Sequence, residues 1–341
     1  MPGIGDLYRV DLEAELRSSI PEGGSAAALY TALRYHFGWV DAAGHPFVSA
    51  TGKRLRPILC LLVCEGYGGD YRNALPAAAA IELLHNFTLI HDDIEDRSDE
   101  RHHRATVWRL WGEAQAINGG DALFCLSQLA LQRLAERGLS SAKVLAAAAA
   151  LNRACLRICE GQYMDVDFER RATVAEDAYM SMTADKTAAL IGCSLELGAL
   201  VAGAPARERK MMREVGESLG LAYQVQDDVL GVWGEPTVTG KPTADDIRSR
   251  KKTLPIVHAL ALAPLADRER MRALLAKPSL TEAEVVAVVG ILEHAGSRIY
   301  AERLARRLSD ETLAVLERSR LSQEARLAIN DLIHSLLQRP S

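Results

Sequence analysis

The chain has 341 residues, 48% of them hydrophobic and 25% charged, with only 25 glycines and 12 prolines. That balance excludes disordered, collagen-like and low-complexity classes, and the length supports one large core or two small ones. Lys plus Arg number 40 against 45 Asp plus Glu, a net charge of −5, so no overall basic field draws the chain to nucleic acid or anionic lipid, and an anionic ligand requires a local basic cluster.

The opening residues, Met1-Pro-Gly-Ile-Gly-Asp-Leu-Tyr-Arg-Val-Asp, set no apolar segment behind a basic lead and are not those of a secretory signal. Further on, apolar residues recur at three- and four-residue spacing, as in Leu55, Leu59, Leu62 and Val63 and again in Leu84, Phe87, Ile90 and Ile94, which is the helical period. Runs of period 2 rich in Val, Ile and Thr are missing and aromatics are only 5%, so the expected fold class is all-α. Breakers at Gly23-Gly24, 66–69, Gly138, 203–205, 234–242, Pro264 and Pro278 cut the chain into roughly ten helices. Pro76 suits a first helical turn, and the alanine runs 77–80 and 146–150 suit closely packed helix interiors. No linker marks a boundary, so residues 1–341 are expected to form a single helical domain. The most apolar stretches, 74–84 and 190–204, are too short to span a bilayer and each carries a Glu. Cysteines fall at Cys60/Cys64 and Cys155/Cys159, four residues apart, with Cys125 and Cys193 alone and no Cys-x-x-Cys. They read as small buried helix residues in a reducing, cytoplasmic compartment.

One feature is doubled: Asp92-Asp93-Ile94-Glu95-Asp96 and Asp227-Asp228-Val229-Leu230-Gly231 each close an apolar helical run. Carboxylates four residues apart project from one helix face, so Asp92 and Asp96 suit shared, oxygen-ligated magnesium. A single such cluster would read as a solvated helix end. Acid in the C-terminal half of a helix opposes the macrodipole, however, so two such clusters cost stability that solubility does not require. Basic counterparts lie at Gly52-Lys53-Arg54-Leu55-Arg56-Pro57, 101–104, Lys186-Thr187 and Gly240-Lys241-Pro242. Converging acidic and basic groups in a helical protein describe a diphosphate site, because magnesium held by few carboxylates shares its shell with substrate phosphates. No Gly-rich phosphate loop is present, which points away from a nucleotide. His85, Thr88, Asp92 and Asp96 follow at steps of three, four and four, one stripe of one helix, and Gln224 with Asp227 or Asp228 repeats the arrangement.

On these residues the sequence resembles the trans-isoprenyl diphosphate synthases, or polyprenyl synthetases, from about Gly52 to Pro255. The resemblance rests on Gly-Lys-Arg-Leu-Arg-Pro at 52–57, His85, the first Asp-rich motif at 92–96, Arg101, Gly120-Asp121 and Gly161-Gln162. It continues through Lys186-Thr187, Gln224-x-x-Asp227-Asp228, Gly240-Lys241-Pro242, Asp246 and Lys251-Lys252-Thr253-Leu254-Pro255. It implies a helical bundle of the isoprenoid synthase type around a central cavity, working as a homodimer. It also implies head-to-tail prenyl transfer: an allylic diphosphate ionises and the cation alkylates the double bond of isopentenyl diphosphate. Asp92, Asp96 and Asp227, with Asp93 and Asp228 beside them, would hold three magnesium ions against the allylic diphosphate. Arg101, Lys186 and Lys241 would contact that diphosphate, while Lys53, Arg56 and His85 would hold isopentenyl diphosphate. Thr187 and Gln224 would turn oxygen dipoles toward the transient cation, and the departing diphosphate would accept the proton.

The chain departs from the family pattern in places. Arg101-His102-His103 stands where relatives have Arg-Arg-Gly, so His102 takes the place of an arginine that helps hold isopentenyl diphosphate, with Arg104 a second candidate for that role. Gly231 ends the second motif where many relatives have Asp, and Arg250 stands where relatives often have Gly. Phe87 and Thr88, five and four residues before the first motif, occupy the floor position that sets product length. A bulky and a small residue there imply geranylgeranyl diphosphate, with farnesyl diphosphate the runner-up. A terpene cyclase on the same scaffold is the alternative activity and a non-catalytic partner subunit a third; retention of Lys53, Arg56 and His85 argues against the cyclase, and both Asp-rich motifs against the subunit.

Overall fold

The computed structural model describes residues 4–47, 52, 54–235 and 243–337; Lys53 and Lys241 lie outside the described residues. Helices follow one another as α1 (Ile4–Ser19), α2 (Ala27–His36), α3 (Leu55–Gly66), α4 (Leu75–Glu95), α5 (Val107–Trp111), α6 (Glu113–Gln132), α7 (Ser141–Glu169) and α8 (Glu176–Thr183). After a π-turn at Ala184–Ala188 come α9 (Ala189–Val201), α10 (Ala206–Trp233), α11 (Asp245–Arg248), α12 (Leu254–Leu262), α13 (Leu265–Leu275), α14 (Glu282–His294), α15 (Ser297–Leu316) and α16 (Gln323–Leu337). The all-α expectation holds. A two-residue antiparallel hairpin, β1 (Glu100–Arg101) with β2 (Arg104–Ala105), interrupts the helices just after α4.

Most breakers read from the sequence do end helices. The backbone turns left-handed at Gly68 and Gly203, just past α3 and α9, and at Gly138, after the 3-10 turn Arg133–Ala135 that follows α6, and α12 stops before Pro264, which cannot continue it. The described residues hold more helical segments than the roughly ten expected from the breakers, because boundaries also fall elsewhere, among them Gly112 at φ +84° between α5 and α6 and Gly296 at φ +69° before α15. Thr281 and Glu284 form a reciprocal capping box that starts α14.

The chain forms two compact units, Met1–Asn152 with Ser194–Arg209, and Arg153–Cys193 with Lys210–Ser341. In the first, α4 runs through the middle, packed chiefly on α6 with α3 and α1 alongside. Pro76 sits in its first turn, residues 77–80 are fully buried alanines that admit neighbouring backbones closely, and Leu83, Leu84 and Ile90 continue the buried face. In the second unit one core gathers Val232, Ile247, Ile256, Met271 and Val288, and another Phe168, Tyr179, Val225, Val229, Leu254 and Leu304. Both cores hold α10 from its buried side.

All six cysteines are free, and Cys60, Cys64, Cys155 and Cys193 are buried as expected, but Cys125 and Cys159 are exposed. An i,i+4 pair does not share burial when the helix is only partly covered. Among the described residues no helix is long and apolar enough to cross a membrane.

Candidate active site

In the first unit the basic segment before α3 is built around Arg54, whose backbone is left-handed at φ +50° and whose side chain is buried. Its guanidinium donates from Nε to Glu13 Oε1 at 3.0 Å and from Nη1 to Glu82 Oε1 at 2.7 Å, and it lies 5.2 Å from the Phe37 ring centroid. Two carboxylates and a ring hold a corner that Ramachandran preference alone opposes. The corner delivers Arg56, whose Nη1 approaches His85 Nε2 at 3.2 Å. A guanidinium only donates, so His85 accepts at Nε2 and carries its proton on Nδ1. Burial, reinforced by Arg56 and Arg101, holds the His85 pKa well below the usual imidazole range. Thr88 turns its hydroxyl back to the His85 carbonyl at 2.8 Å.

The two adjacent aspartates of the first motif have different surroundings. Asp93 is 2% exposed and receives a fork from Arg101, Nη2 to Oδ1 at 2.8 Å and Nε to Oδ1 at 3.0 Å. Burial raises its pKa against the lowering effect of Arg101. Asp92 is half-buried and Asp96, the C-cap of α4, is exposed. Successive helical residues differ by about 100° around the axis, so adjacent carboxylates face different surroundings. Arg101, expected as a diphosphate contact, pairs here with Asp93 and ties the hairpin to α4. At the hairpin apex His102 and His103 have φ of +52° and +60°. Position 103 is where relatives have Gly, the residue that adopts this conformation without steric cost. His102 is exposed at the turn, and burial of part of the ring, then Arg101 and His103, lower its pKa. Arg104 donates to the carbonyls of Tyr35 at 2.9 Å and Val40 at 2.8 Å and stacks 3.9 Å from the Tyr35 ring. These contacts hold Arg104 against α2 and the segment after it, while His102 stands exposed at the turn.

Phe87 is half-buried; its ring meets His91 edge-on at 4.9 Å and Phe124 of α6 at 5.7 Å. His91 in turn lies over Gly120, where a β-carbon would come within 2.2 Å of its Nε2. Gly120 of the Gly-Asp motif thus keeps room for the layer on which Phe87 rests.

In the second unit the polar residues form one chain. Thr187 Oγ1 donates to Gln224 Oε1 at 3.0 Å, and Gln224 Nε2 donates to Asp228 Oδ1 at 3.1 Å. The carboxylate accepts only, which fixes the amide so that its oxygen faces Thr187. Asp228 also accepts from the Tyr179 hydroxyl and from the Leu254 backbone N–H at 2.8 Å. It is 3% exposed, and burial pushes its pKa up to about 7 despite those donors. Asp227, one residue earlier, is half-buried. Lys186 Nζ lies 2.6 Å from Asp165 Oδ2 of α7. At Gly231 a β-carbon would come within 1.8 Å of Asp246 Oδ2, so the Asp246 carboxylate lies against the position where many relatives carry a motif aspartate.

Sequence reading missed Asp165, Tyr179 and Arg157. Asp165 had a signal, since it follows Gly161 by one helical turn; Tyr179 had none, because its partner Asp228 is 49 residues away.

Asp92 and Asp96 in the first unit, and Asp227 in the second, are less deeply buried than Asp93 and Asp228, and their carboxylate oxygens are the hard ligands magnesium takes. Among the described residues no group of three His, Cys, Asp or Glu side chains forms a cage by itself. Magnesium needs only one or two carboxylates when phosphate and water complete its shell, so the donors of each motif, taken by themselves, fit it.

A family model described as polyprenyl synthetase matches residues 38–292. The chain is 40% identical over 311 residues to the (2E,6E)-farnesyl diphosphate synthase of Mycobacterium tuberculosis (strain ATCC 25618 / H37Rv), covering 90% of this chain and 85% of that protein. It superposes on a polyprenyl synthetase from Streptomyces coelicolor A3(2) with a TM-score of 0.90 and 36% identity, over 97% of this chain and 98% of that one. A geranylgeranyl pyrophosphate synthase from Corynebacterium glutamicum, complexed with isoprenyl diphosphate and magnesium, gives a TM-score of 0.83 and 27% identity, over 99% of each chain.

Proposed function

This chain belongs to the polyprenyl synthetase family, and we propose that it is a short-chain trans-prenyltransferase that condenses an allylic diphosphate with isopentenyl diphosphate. The observation that carries the reading is the Arg56–His85 pair in a chain that also keeps both aspartate motifs. An enzyme that only ionised an allylic diphosphate would have no use for a basic site for a second one.

In this reading the outer carboxylates Asp92, Asp96 and Asp227 hold magnesium, and Asp93 and Asp228 are structural, fixing Arg101 and Gln224 in place. Magnesium, when bound, neutralises the departing diphosphate electrostatically. Lys186, and Lys241 from outside the described residues, add positive charge to the same leaving group. Thr187 and Gln224 present oxygens to the allylic cation; the amide is already fixed by Asp228, so no reorganisation is needed as charge develops. Arg56, His85 and His102, with Lys53, hold isopentenyl diphosphate. As the new carbon–carbon bond forms, the proton lost from the adjacent carbon passes to the released diphosphate. Phe87 limits the product to geranylgeranyl or farnesyl diphosphate.

We also assign the protein to the cytoplasm, which suits six free cysteines, and to a homodimer, which would cover Ile117 and Leu129 of α6 and Leu145 of α7, all exposed. The test is incubation of the purified chain with magnesium and an allylic diphosphate, with and without isopentenyl diphosphate. A chain-extended diphosphate formed only with both substrates is the expected result. A cyclised hydrocarbon formed without isopentenyl diphosphate overturns the reading.

A further inference from the structure

The π-turn at Ala184–Ala188 carries both Lys186 and Thr187, yet its sequence, Ala-Asp-Lys-Thr-Ala, has no glycine or proline to demand it. Single π-turns inside helices are uncommon and concentrate at functional sites. What imposes this one comes from outside it. On one side α7 presents Gly161, where a β-carbon would stand 2.3 Å from Lys186 N; on the other α10 presents Gly220, where a β-carbon would stand 2.5 Å from Ala188 Cα. The turn is thus held between two backbones.

One side chain ties it in place. Arg157 of α7 donates from Nε to Asp185 Oδ1 at 2.7 Å, from Nη1 to Glu217 of α10, and from Nη2 to the Ala184 carbonyl at 3.4 Å. That carbonyl is the acceptor of the Ala189 N–H, the bond that closes the π-turn. Arg157, Gly161 and Asp165 lie four residues apart on one stripe of α7, and they engage Ala184 with Asp185, the backbone of Lys186 and the Lys186 ammonium in turn.

We propose that Arg157 is a positioning residue of the prenyl-transfer reaction, holding the π-turn in the single register that keeps Thr187 on Gln224 and Lys186 on Asp165. The proposal rests on the reading of Thr187 and Gln224 as the groups facing the allylic cation. Closing the turn into ordinary α-helix would rotate the residues after it by about 100° relative to those before it. Thr187 would leave Gln224, whose amide is fixed by Asp228. The fork is part-buried, and an ion pair by itself bears on stability, not on the rate of a reaction it does not touch.

Arg157→Met keeps the aliphatic stem and removes the fork. We expect hydrogen exchange to rise across 184–192 and not across 254–262, and kcat to fall at least tenfold while KM for isopentenyl diphosphate stays within twofold. Asp185→Asn should reproduce the loss, and the double variant should be no worse than the poorer single one, because the two side chains act as one unit. Arg157→Lys should recover part of kcat. A kcat within twofold of wild type per folded molecule, unchanged exchange across 184–192, or additive losses in the double variant would each overturn the proposal. Wild-type enzyme run alongside separates the two ideas, since failure of wild type to condense the substrates refutes the reaction itself, whereas an active wild type with an equally active Arg157→Met refutes only the clamp.

Discussion

Acid should destabilise the first unit through His36, the last residue of α2. Its Nε2 is buried without a hydrogen-bond partner, and the ring sits among Arg54, Arg101, His102 and Asn86. Burial, then the positive charges of Arg101, Arg54 and His102, lower its pKa to about 3. A base whose folded pKa is depressed contributes full stability above its unfolded pKa and loses it as pH falls through that value. With an unfolded pKa of about 6.5, the unfolded ring is nearly all protonated at pH 5 and the folded ring is not, a difference of about 2 kcal/mol, against about 0.2 kcal/mol at pH 7. The result at pH 5 is the same for any folded pKa below about 4. His36→Gln, neutral at both pH values, should therefore remove about 2 kcal/mol of the loss between pH 7 and pH 5, an urea midpoint shift of about 0.7 M at a slope of about 3 kcal/mol per M. His85, also depressed, keeps its own share of the loss in the variant. Tryptophan fluorescence follows this unit well, because Trp39, Trp108 and Trp111 belong to it and only Trp233 does not. Equal losses in wild type and His36→Gln between pH 7 and pH 5 would refute the reasoning.

Partial burial, then Arg101 and His103, lower the His102 pKa, so KM for isopentenyl diphosphate should rise as pH rises through the acidic range and be level by neutral pH, and His102→Arg should flatten that profile. An unchanged profile in the variant would remove His102 from the substrate site. Phe87→Ala should shift products to longer chains by liquid chromatography and mass spectrometry; unchanged products with a lower melting temperature would make Phe87 a core residue only, packed on His91 and Phe124. His103→Gly relieves a left-handed backbone at φ +60° and should stabilise by about 0.5 to 1 kcal/mol, a rise of about 2 °C in Tm by calorimetry.

Helices were readable because their signals are local. The 3.6-residue apolar period and the glycines after α3, α6 and α9 lie within a few residues of the structure they dictate. The stripe of His85, Thr88, Asp92 and Asp96 was readable for the same reason. Two features were not. Adjacent aspartates look alike in sequence, and the burial of Asp93 and Asp228 follows from partners at Arg101, Tyr179 and Leu254, two of them far along the chain. The π-turn is imposed by Gly161 and Gly220, which in sequence look like weak points of helices rather than places where backbones meet. The same tertiary dependence separates Arg104, anchored on Tyr35 and Val40, from His102 at the apex of the same hairpin.

The division of labour within the aspartate motifs is tested most directly by four substitutions measured in parallel for single-turnover rate at saturating magnesium and for melting temperature. Asp92→Asn and Asp227→Asn should lose about 100-fold or more in rate with little change in melting temperature, as when a group stabilising the transition state is removed. Asp93→Asn and Asp228→Asn place amide donors against Arg101, the Tyr179 hydroxyl and the Leu254 N–H, so they should lower stability by about 1 to 3 kcal/mol. Full turnover in Asp92→Asn and Asp227→Asn, or unchanged stability in Asp93→Asn and Asp228→Asn, would contradict the account.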